Sequence, residues 1–522
     1  MFQVTVLRNG QKEVLALDAP AVLSDLLRLH GAPLSLPCGG NGRCGKCRIL
    51  AEGNLSPVSE QEARLLGAED ISRGVRLACL TTVCGDAAVT VGGEEAMGSV
   101  LSSGEMPDFE RKPASSGLGV AVDIGTTTVA AYLYDLSTCT LLRTAGAKNP
   151  QAAFGADVIS RIEQSMAGHA EELSRLIVEE IDRMVGALAE EAGVGCAKID
   201  QLIITGNTTM LYLLTGRPVH SLAAAPFVSD TLFGERLTGG ALGLASAPDA
   251  DVFLPRCMSA FVGADITCAV LASDMLSDGK PSLLVDIGTN GEMALHNGGE
   301  LFCCSTAAGP AFEGAGITMG MPALPGAINK VYLQDGKFGF STLSGQPAKG
   351  ICGSGLLDAV AVLLQVGVLD ETGLLAEEDH DYLHLICEWD DQPAFRFEGA
   401  DVLLTQKDIR AVQLAKSAIR AGMETLLHEN GLTPEDLSTL YIAGGFGSFI
   451  DVESAAAIGL IPKALAGKVK VLGNAAGSGA SMLLQNADLP EQSTRLADGA
   501  QTVDLSTNPF FMDQYVSGMM FE

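Results

Sequence analysis

One strand–turn–strand pattern occurs twice in this chain of 522 residues, and the repeat constrains the fold more than any other feature. The first copy, "GVAVDIGTTTVAAYLYD", begins at Gly119, and the second, "SLLVDIGTNGEMALHNG", begins at Ser282. In each copy an apolar strand ends in Asp-Ile-Gly-Thr and a second strand follows. The two aspartates, Asp123 and Asp286, are 163 positions apart (286 − 123), with helical stretches between them. A repeat with this spacing predicts a duplicated α/β domain with two lobes.

Local signals place several helices around the repeat. Thr405 and Asp408 have capping-box spacing ahead of a long periodic segment. In the first hundred residues, Ser59 and Glu62 have the same spacing, and Ser24 is the expected N-cap of a short helix. These signals predict an α+β unit ahead of the duplicated domain.

The charge of the chain excludes one class of partner. The formal net charge is −30 and the isoelectric point is about 4.5, which argues against a nucleic-acid binder, since such a protein needs a basic face. The opening residues alternate polar and apolar side chains, unlike a signal peptide. No apolar run approaches the roughly 18 residues of a membrane helix. We therefore expect no membrane span, no nucleic-acid partner and a cytoplasmic location.

The domain organisation follows from composition. Residues 96–116 have no periodicity and are rich in Ser, Gly and Pro, which predicts a linker. This linker separates an α+β unit over 1–95 from the repeat. The repeat divides the remainder into a first lobe over 117–280 and a second lobe over 281–522.

Clustered cysteines near the front of the chain indicate a metal centre. The stretch "LPCGGNGRCGKC" contains Cys38, Cys44 and Cys47, and a fourth thiol comes from Cys79 or Cys84. Four thiolates with this spacing can hold a 2Fe–2S cluster. Structural zinc is the alternative, although zinc sites usually use two paired Cys motifs and the distal cysteine here has no such partner.

Residues 1–95 resemble a ferredoxin-like 2Fe–2S domain of the β-grasp type. The segment "LAC" followed by Leu-Thr looks like the part of that family that bears the fourth ligand. The resemblance therefore implies Cys38, Cys44, Cys47 and Cys79 as the cluster ligands.

The two turns of the repeat have the composition of phosphate-binding turns. A turn rich in Gly and Thr presents backbone N–H groups and hydroxyls together, and a carboxylate beside it can hold Mg²⁺ through water or orient an attacking water. We assign Asp123 and Asp286 to catalysis on this ground. Asn207 follows another strand, where it either lines the same cleft or caps a helix. The expected ATP- and Mg²⁺-binding residues are Asp123, Gly125, Thr126, Thr127, Thr128, Asn207, Asp286, Gly288, Thr289, Asn290, Gly291, Gly444, Gly445, Phe446 and Gly447.

Residues 117–522 resemble the phosphate-binding superfamily of acetate and sugar kinases, heat-shock chaperones and actin. "DIGTTT" looks like its first phosphate loop, "DIGTNGE" like its second and "AGGFG" like its adenosine loop. The resemblance implies a ribonuclease H-like, actin-like ATPase.

The order of motifs along the chain resembles one family more closely. A ferredoxin domain followed by "NPQAAFGADVISRI", "GNTTM", "DIGTNGEM", "AGPAFEGAGI" and "AGGFGSFID" is similar to the reductive activators of corrinoid-dependent enzymes. The resemblance implies ATP-dependent delivery of one electron from a 2Fe–2S cluster to Co(II), which regenerates Co(I) for methyl transfer. It also implies Mg²⁺, a corrinoid protein of a methyltransferase or O-demethylase system as partner, an external low-potential electron donor and a possible homodimer.

Three other functions remain open from the residues alone. The chain could activate a radical dehydratase or reductase, phosphorylate a small molecule under control of an iron–sulfur domain, or transfer electrons with a degenerate ATPase. The absence of any recognisable phosphoryl-acceptor signature weighs against the kinase.

Overall fold

A computed structural model describes most of the chain, including nearly all of the duplicated domain. The described residues are 2–8, 11–30, 34, 36, 40, 42, 45, 47–91, 104, 106–225, 227–376, 380–446 and 450–522. Within these residues, no helix combines the length and the apolarity that a membrane crossing needs.

The N-terminal unit is a mixed sheet covered by two helices. Its strands run in the order β2-β1-β6-β4-β5, with β3 beside β6, and β1 pairs parallel to β6. The hairpin of β1 and β2 pairs Phe2 with Leu17, and Asn9 and Gly10 between its strands lie outside the described residues. This arrangement confirms the α+β expectation. The elements are β1 (Phe2–Arg8), β2 (Gln11–Leu17), β3 (Ala21–Val22), α1 (Leu23–Leu29), β4 (Arg48–Leu55), α2 (Glu60–Ser72), β5 (Val75–Leu77) and β6 (Thr82–Val91).

Two local predictions in this unit were wrong in detail. Helix α1 begins at Leu23 after Val22, so Ser24 lies inside the helix and its backbone N–H donates to the carbonyl of Ala78. Ser59 does accept from the backbone of Glu62, but the Glu62 carboxylate turns inward instead of returning to the cap. Tertiary contacts overrode the local capping preference in both places.

The first lobe contains a six-stranded sheet with its helices. Its elements are β7 (Leu118–Ile124), β8 (Thr128–Asp135), β9 (Thr140–Lys148), α3 (Val158–Gln164), α4 (Ala170–Glu191), β10 (Ile199–Gly206), α5 (Thr208–Leu214), α6 (His220–Ala223), β11 (Glu235–Thr238), α7 (Gly239–Leu242), β12 (Asp251–Leu254) and α8 (Ala264–Ala272).

The second lobe contains another six-stranded sheet and two small three-stranded sheets. Its elements are β13 (Ser282–Ile287), β14 (Gly291–His296), β15 (Leu301–Thr306), β16 (Ala327–Gln334), β17 (Lys337–Thr342), β18 (Gly350–Ile351), α9 (Gly353–Gln365), β19 (Ile386–Trp389), β20 (Gln392–Arg396), β21 (Leu403–Thr405), α10 (Gln406–Glu429), β22 (Thr439–Ala443), α11 (Val452–Ala457), β23 (Val469–Gly473), α12 (Ala475–Gln485), α13 (Leu489–Gly499), β24 (Gln501–Thr502) and α14 (Pro509–Ser517).

The two large sheets share one strand order, which confirms the duplication. Five strands of the first run β12-β10-β7-β8-β9, and five of the second run β23-β22-β13-β14-β15. In both, the strand that bears the repeated aspartate pairs parallel on one side and antiparallel, through the hairpin, on the other. Asp123 and Asp286 therefore occupy equivalent positions near the ends of β7 and β13.

Helices α8 and α12 pack between the two large sheets. Ala480 and Leu484 of α12 join a buried cluster with Ala121 and Ile203 of the first sheet. Other residues of α8 and α12 join a second buried cluster that includes the inner face of the second sheet. The helices cross closely, since a side chain at Gly479 would overlap the carbonyl of Cys268. This packing sets the separation of the sheets and the width of the cleft between the lobes.

The described half of the expected linker is attached to the end of α12. Lys112 pairs through its backbone with residues 485 and 487, and its ammonium forms an ion pair with Asp488 at 2.8 Å. The Asn486 side chain donates to the carbonyl of Glu110 at 2.7 Å. Residues 106–116 therefore follow the surface of the ATPase-like part of the chain.

Candidate functional site

A cavity of about 290 Å³ opens between the lobes where the two repeated hairpins meet. We call residues 125–128 the first turn and residues 288–291 the second turn. Thirteen of the predicted nucleotide-site residues line this cavity, namely Asp123, Gly125, Thr126, Thr127, Thr128, Asn207, Asp286, Gly288, Thr289, Asn290, Gly444, Gly445 and Phe446. Gly291 instead begins β14 and packs against Thr306 and Ile419, and Gly447 lies outside the described residues.

The first turn is closed by its own backbone and held in place by the side chain of Asn207, the residue that follows β10. The N–H of Gly125 donates to the carbonyl of Thr128 at 2.9 Å. Asn207 caps helix α5 by accepting from the N–H of Met210, and its amide also donates to the Thr126 hydroxyl at 3.3 Å. Asn207 therefore performs both of the roles that the sequence left open.

Four carboxylates converge on the floor of the cavity. Burial raises the pKa of Asp123 to about 6, although a hydrogen bond with Asn474 opposes the rise. Burial, followed by the charges of Asp123 and Glu313, raises the pKa of Asp286 to about 7. The pKa values of Asp265 and Glu292 are also raised, first by burial and then by their acidic neighbours. Crowded oxygen donors of this kind suit a hard divalent cation such as Mg²⁺, which would neutralise their charge.

The glycine segment at 444–446 approaches Asp286 closely. Gly444 has a φ of +94°, and a Cβ there would lie 2.7 Å from an Asp286 carboxylate oxygen. Only glycine fits this position, because any side chain would be strained and would strike the carboxylate. Next to it, the ring of Phe446 stacks on that of Phe312, with 5.0 Å between centroids. The segment thus forms one wall of the cavity from bare backbone and an aromatic face.

A buried arginine supports the first turn from behind. Arg161 of α3 is fully buried and donates to the carbonyls of Thr126 at 2.5 Å and Gly155 at 3.0 Å. Burial lowers the pKa of its guanidinium to about 10, a value that leaves it charged at neutral pH. Its positive charge therefore lies directly behind the first turn, where it would favour a bound anion.

The segment that contains Arg161 also touches the N-terminal unit. We call residues 149–161 the bracing segment. Asn149 at its start donates from its backbone to Thr127 and from its side chain to Gly125, both at 2.9 Å. A few residues further on, the carbonyl of Ala152 accepts from the N–H of Leu36 at 3.0 Å. One segment therefore connects the first turn to the cysteine-bearing loop.

Arg28 of α1 provides further contacts between the N-terminal unit and the first lobe. Its guanidinium lies 4.8 Å from the ring centroid of Phe154 in the bracing segment. It also lies 3.3 Å from a carboxylate oxygen of Glu172 in α4. These contacts dock the N-terminal unit on the first lobe.

The described cysteines place two thiols together. The Sγ atoms of Cys47 and Cys79 are 3.3 Å apart, and the Cys79 thiol lowers the pKa of Cys47 to about 6 despite partial burial. Cys84 is exposed on β6, and its thiol faces the carbonyl of Thr82. Two adjacent sulfurs, one with thiolate character, fit ligation of an iron centre. Cys38 and Cys44 lie outside the described residues.

Glycines shape the described part of the cysteine loop. Gly42 has a φ of +67°, and a Cβ there would lie 2.8 Å from the side chain of Leu80. The loop therefore packs tightly against the residue that follows Cys79. Of the basic residues that flank the thiols, Arg48 forms an ion pair with Asp70 at 2.6 Å, while Arg43 and Lys46 lie outside the described residues.

Three family models match successive parts of the chain. The 2Fe-2S iron-sulfur cluster binding domain matches residues 6–84, the RACo middle region matches 118–278, and the C-terminal domain of RACo, the ASKHA domain, matches 280–522. The corrinoid activation enzyme RamQ of Eubacterium limosum is 31% identical over 98% of both chains. The chain belongs to the RACo family.

Two further relatives agree with this membership. The Co(II) methylated amine-specific corrinoid protein reductase of Methanosarcina barkeri is 28% identical over 68% of each chain. The solved structure of a reductive activator for corrinoid, iron-sulfur protein covers 99% of this chain and 98% of its own, with 28% identity and a TM-score of 0.71. The expected fold class, a ferredoxin-like domain followed by an actin-like ATPase, is confirmed. The matched domains support a 2Fe–2S cluster and ATP binding in this RACo-family chain.

Sequence reasoning missed four residues of the site in this RACo-family chain. Asp265 lies in the apolar stretch "FVGADITCAV", and Glu313 lies in the motif "AGPAFEGAGI", whose acidic residue had no predicted role. Glu292 directly follows the second turn, and Arg161 lies in "NPQAAFGADVISRI". A charged residue in an otherwise apolar motif was the available signal, since such residues are rarely buried without a function or a partner.

Proposed function

We propose that this chain re-reduces the Co(II) form of a corrinoid protein to Co(I) in a reaction that depends on ATP. Two relatives that match nearly the whole chain are named as a corrinoid activation enzyme and a reductive activator for corrinoid, iron-sulfur protein. The observation that carries the proposal is the bracing segment, because it connects a turn of the ATPase cleft to the cysteine loop within one chain.

The electron transfer moves one electron and no atoms. Bound at Cys38, Cys44, Cys47 and Cys79, the 2Fe–2S cluster would supply a one-electron donor, and the corrinoid Co(II) would accept that electron. A plant-type cluster has a potential of roughly −400 mV. The Co(II)/Co(I) couple is very low, so such a cluster alone is a weak donor for it. Binding of ATP at a second site can favour the transfer if the two sites are coupled.

The residues of the cleft have distinct proposed roles in this coupling. The hydroxyls and N–H groups of the first and second turns would hold the phosphates. Asp123 and Asp286 would hold Mg²⁺ through water or orient an attacking water, and the lowered charge after Mg²⁺ binding would relieve their mutual repulsion. The glycine segment at 444–445 and the ring of Phe446 would contact the nucleoside.

Movement of the first turn provides a route to the cluster domain. Phosphates that contact Thr126 and Thr127 act on the backbone that Asn149 and Arg161 hold. Any displacement passes along the bracing segment to Ala152, whose carbonyl holds Leu36. ATP would therefore change how the N-terminal unit is docked and how it meets the corrinoid protein.

The proposal also covers the corrinoid partner, the electron donor and the cellular location. The corrinoid partner would serve a methyltransferase or O-demethylase system, and an external low-potential donor would reduce the cluster again. We propose a cytoplasmic location, where thiols stay reduced. A homodimer is compatible with these roles and is not required by them.

The central experiment mixes the reduced protein with a Co(II) corrinoid protein, with and without MgATP, and follows the Co(I) absorption band. We expect Co(I) only with MgATP. Asp123→Ala and Asp286→Ala should keep the cluster absorption and lose Co(I) formation, while Cys44→Ser should lose the cluster and still bind ATP. Cys139→Ser, in the turn before β9, is the matched control for thiol replacement. ATP-independent Co(I) formation at the full rate in both aspartate variants would reject the coupling.

A further inference from the structure

Glu313 crosses the cleft at the place where the two turns face each other. Its carboxylate accepts a hydrogen bond from the Thr127 hydroxyl at 2.5 Å and another from the Thr289 hydroxyl at 2.8 Å. Thr127 belongs to the first turn and Thr289 to the second, so one side chain connects the two lobes. This contact uses the same hydroxyls that the proposed function assigns to phosphate.

The backbone around Glu313 is fixed. The N–H of Gly309 donates to the carbonyl of Thr289 at 2.8 Å, which ties the segment to the second turn. Gly314 has a φ of +77°, and a Cβ there would lie 2.5 Å from the carbonyl of Met321. On the other side, the carbonyl of Phe312 packs against Gly353, where a Cβ would approach it to 1.9 Å. The side chain of Glu313 can therefore turn away from the hydroxyls, but its backbone has little room to follow.

The charges around Glu313 make shared occupancy with a phosphate unfavourable. Asp123 and Asp286 already place two carboxylates in the cavity, and a Glu313 oxygen lies 3.6 Å from the position of a Cβ at Gly288 in the second turn. A phosphate group at the two hydroxyls would meet the Glu313 carboxylate at contact distance, where like charges repel strongly in a partly dry site. One anion must leave when the other binds.

We propose that Glu313 is an internal stand-in for a nucleotide phosphate: it holds Thr127 and Thr289 together in the empty cleft, and ATP binds by displacing it. The inference rests on the proposed ATP-dependent function and adds to it a residue that sets nucleotide affinity. A carboxylate held by two hydroxyls resembles a phosphate in charge and in its acceptor oxygens. The closed, Glu313-bound form reduces the apparent affinity for ATP by the fraction of molecules in which the hydroxyls are free.

Displacement of Glu313 would leave the nucleoside wall in place. The preceding residue, Phe312, stacks on Phe446 of the glycine segment at 444–446. When the neighbouring carboxylate turns away, the cleft loses its hydrogen-bonded connection between lobes and keeps this aromatic one. Two adjacent residues, Phe312 and Glu313, thus lie at the nucleoside wall and at the phosphate position.

The test measures binding of three probes by calorimetry: the magnesium complex of the β,γ-imido analogue of ATP, MgADP, and adenosine. In Glu313→Ala, the analogue should bind roughly tenfold more tightly or better than in the wild type, because no competing carboxylate remains. Glu313→Gln should fall between the two, since its amide oxygen accepts a hydrogen bond without charge. Adenosine, which has no phosphate, should bind all three proteins equally and shows that each variant has a folded cleft.

The matched control is Glu398→Ala, which removes one exposed negative charge from the same lobe and should leave all three affinities unchanged. Equal or weaker analogue binding in both Glu313 variants would overturn the inference, as would loss of ATP hydrolysis in Glu313→Gln with unchanged affinity. If the affinity for MgADP rises as much as that for the analogue, Glu313 occupies the position of the β-phosphate. If only the affinity for the triphosphate analogue rises, Glu313 occupies the position of the γ-phosphate. Both results support displacement. If the wild type binds none of the phosphate-bearing probes, the proposed function itself fails.

Discussion

Asp286→Asn should stabilise the nucleotide-free and metal-free protein at neutral and alkaline pH. The pKa of Asp286 is about 7 in the folded protein, above its ordinary value of 3.8, because burial and two neighbouring carboxylates disfavour the charged form. The folded state therefore binds more protons than the unfolded state between about pH 4 and pH 7. The stabilisation that comes from protonation of Asp286 is fully present below about pH 4 and is lost as the pH rises through 7. Asparagine has the shape of the protonated acid at every pH and avoids this loss.

The size of the effect follows from the two pKa values. Going from 3.8 to about 7, at about 1.36 kcal/mol per pH unit, gives up to about 4 kcal/mol at pH 8. At pH 5 the same values give about 2 kcal/mol, since the unfolded chain is mostly ionised there and the folded protein is not. The two lobes contain about 400 residues, and their unfolding entropy of about 0.85 kcal/mol per kelvin converts 4 kcal/mol into about 5 °C of Tm.

The assay is thermal unfolding, followed by circular dichroism or calorimetry, at pH 5 and pH 8 in chelator. The Tm of Asp286→Asn should exceed that of the wild type by more at pH 8 than at pH 5. In a second series without chelator, MgATP should raise the Tm of the wild type more than that of the variant, since the variant lacks one of the two carboxylates proposed for Mg²⁺. Asp249→Asn replaces an exposed carboxylate and serves as control. A variant less stable than the wild type at pH 8, or a difference independent of pH, would refute the reasoning.

Three other expectations concern the cluster and the contacts that lead to it. Cys79→Ser should abolish the visible absorption of the cluster while Cys84→Ser keeps it, and the opposite result would make Cys84 the fourth ligand. Arg161→Met leaves two carbonyls unpaired and should cost about 2–4 kcal/mol of unfolding free energy by urea titration, with weaker binding of ATP; unchanged affinity would remove the arginine from the site. Arg28→Ala should release the N-terminal unit more often, which small-angle scattering detects as a larger radius of gyration; an unchanged radius would show that these contacts do not hold the domain.

The parts of the fold that were predictable have local signals. The turn at Asp123 and the turn at Asp286 each combine an apolar strand, a glycine and a threonine within a few residues, so the duplication was visible without any long-range information. Likewise, Thr405 and Asp408 form both hydrogen bonds of the expected capping box at the start of α10. Backbone geometry and nearest neighbours decide these features, and both are present in a short window of sequence.

Buried charges were the main features that the sequence did not predict. Glu62 lies in the first turn of α2 as expected, but its side chain is buried, pairs with Arg76 at 2.9 Å and accepts from the N–H of Leu77 and the hydroxyl of Thr81. The hydrogen bonds to its charged form hold the pKa of Glu62 below its usual range although burial acts in the opposite direction. Its partners are 14 to 19 positions away, so no local pattern could specify them.

Contacts across the cleft also could not be predicted from local sequence patterns. Glu313 is 186 positions from Thr127, and the contact depends on how the two lobes close around α8 and α12. The docking of Leu36 against Ala152 depends on the packing of two separate domains. Sequence motifs could name both segments, but only the assembled fold shows which turn each one touches.

The strength of the docking contacts decides whether ATP could control the cluster domain. The described interface has one backbone hydrogen bond at Leu36, one ion pair at Glu172 and one cation–π contact at Phe154. At about 1 kcal/mol each, they sum to about 3 kcal/mol. A nucleotide that binds the undocked form about 150-fold more tightly than the docked form supplies that much, because each tenfold ratio is worth about 1.36 kcal/mol. This ratio lies at the upper end of ordinary coupling energies between sites, about 1–3 kcal/mol. The three described contacts are therefore weak enough for the proposed binding of ATP to release them.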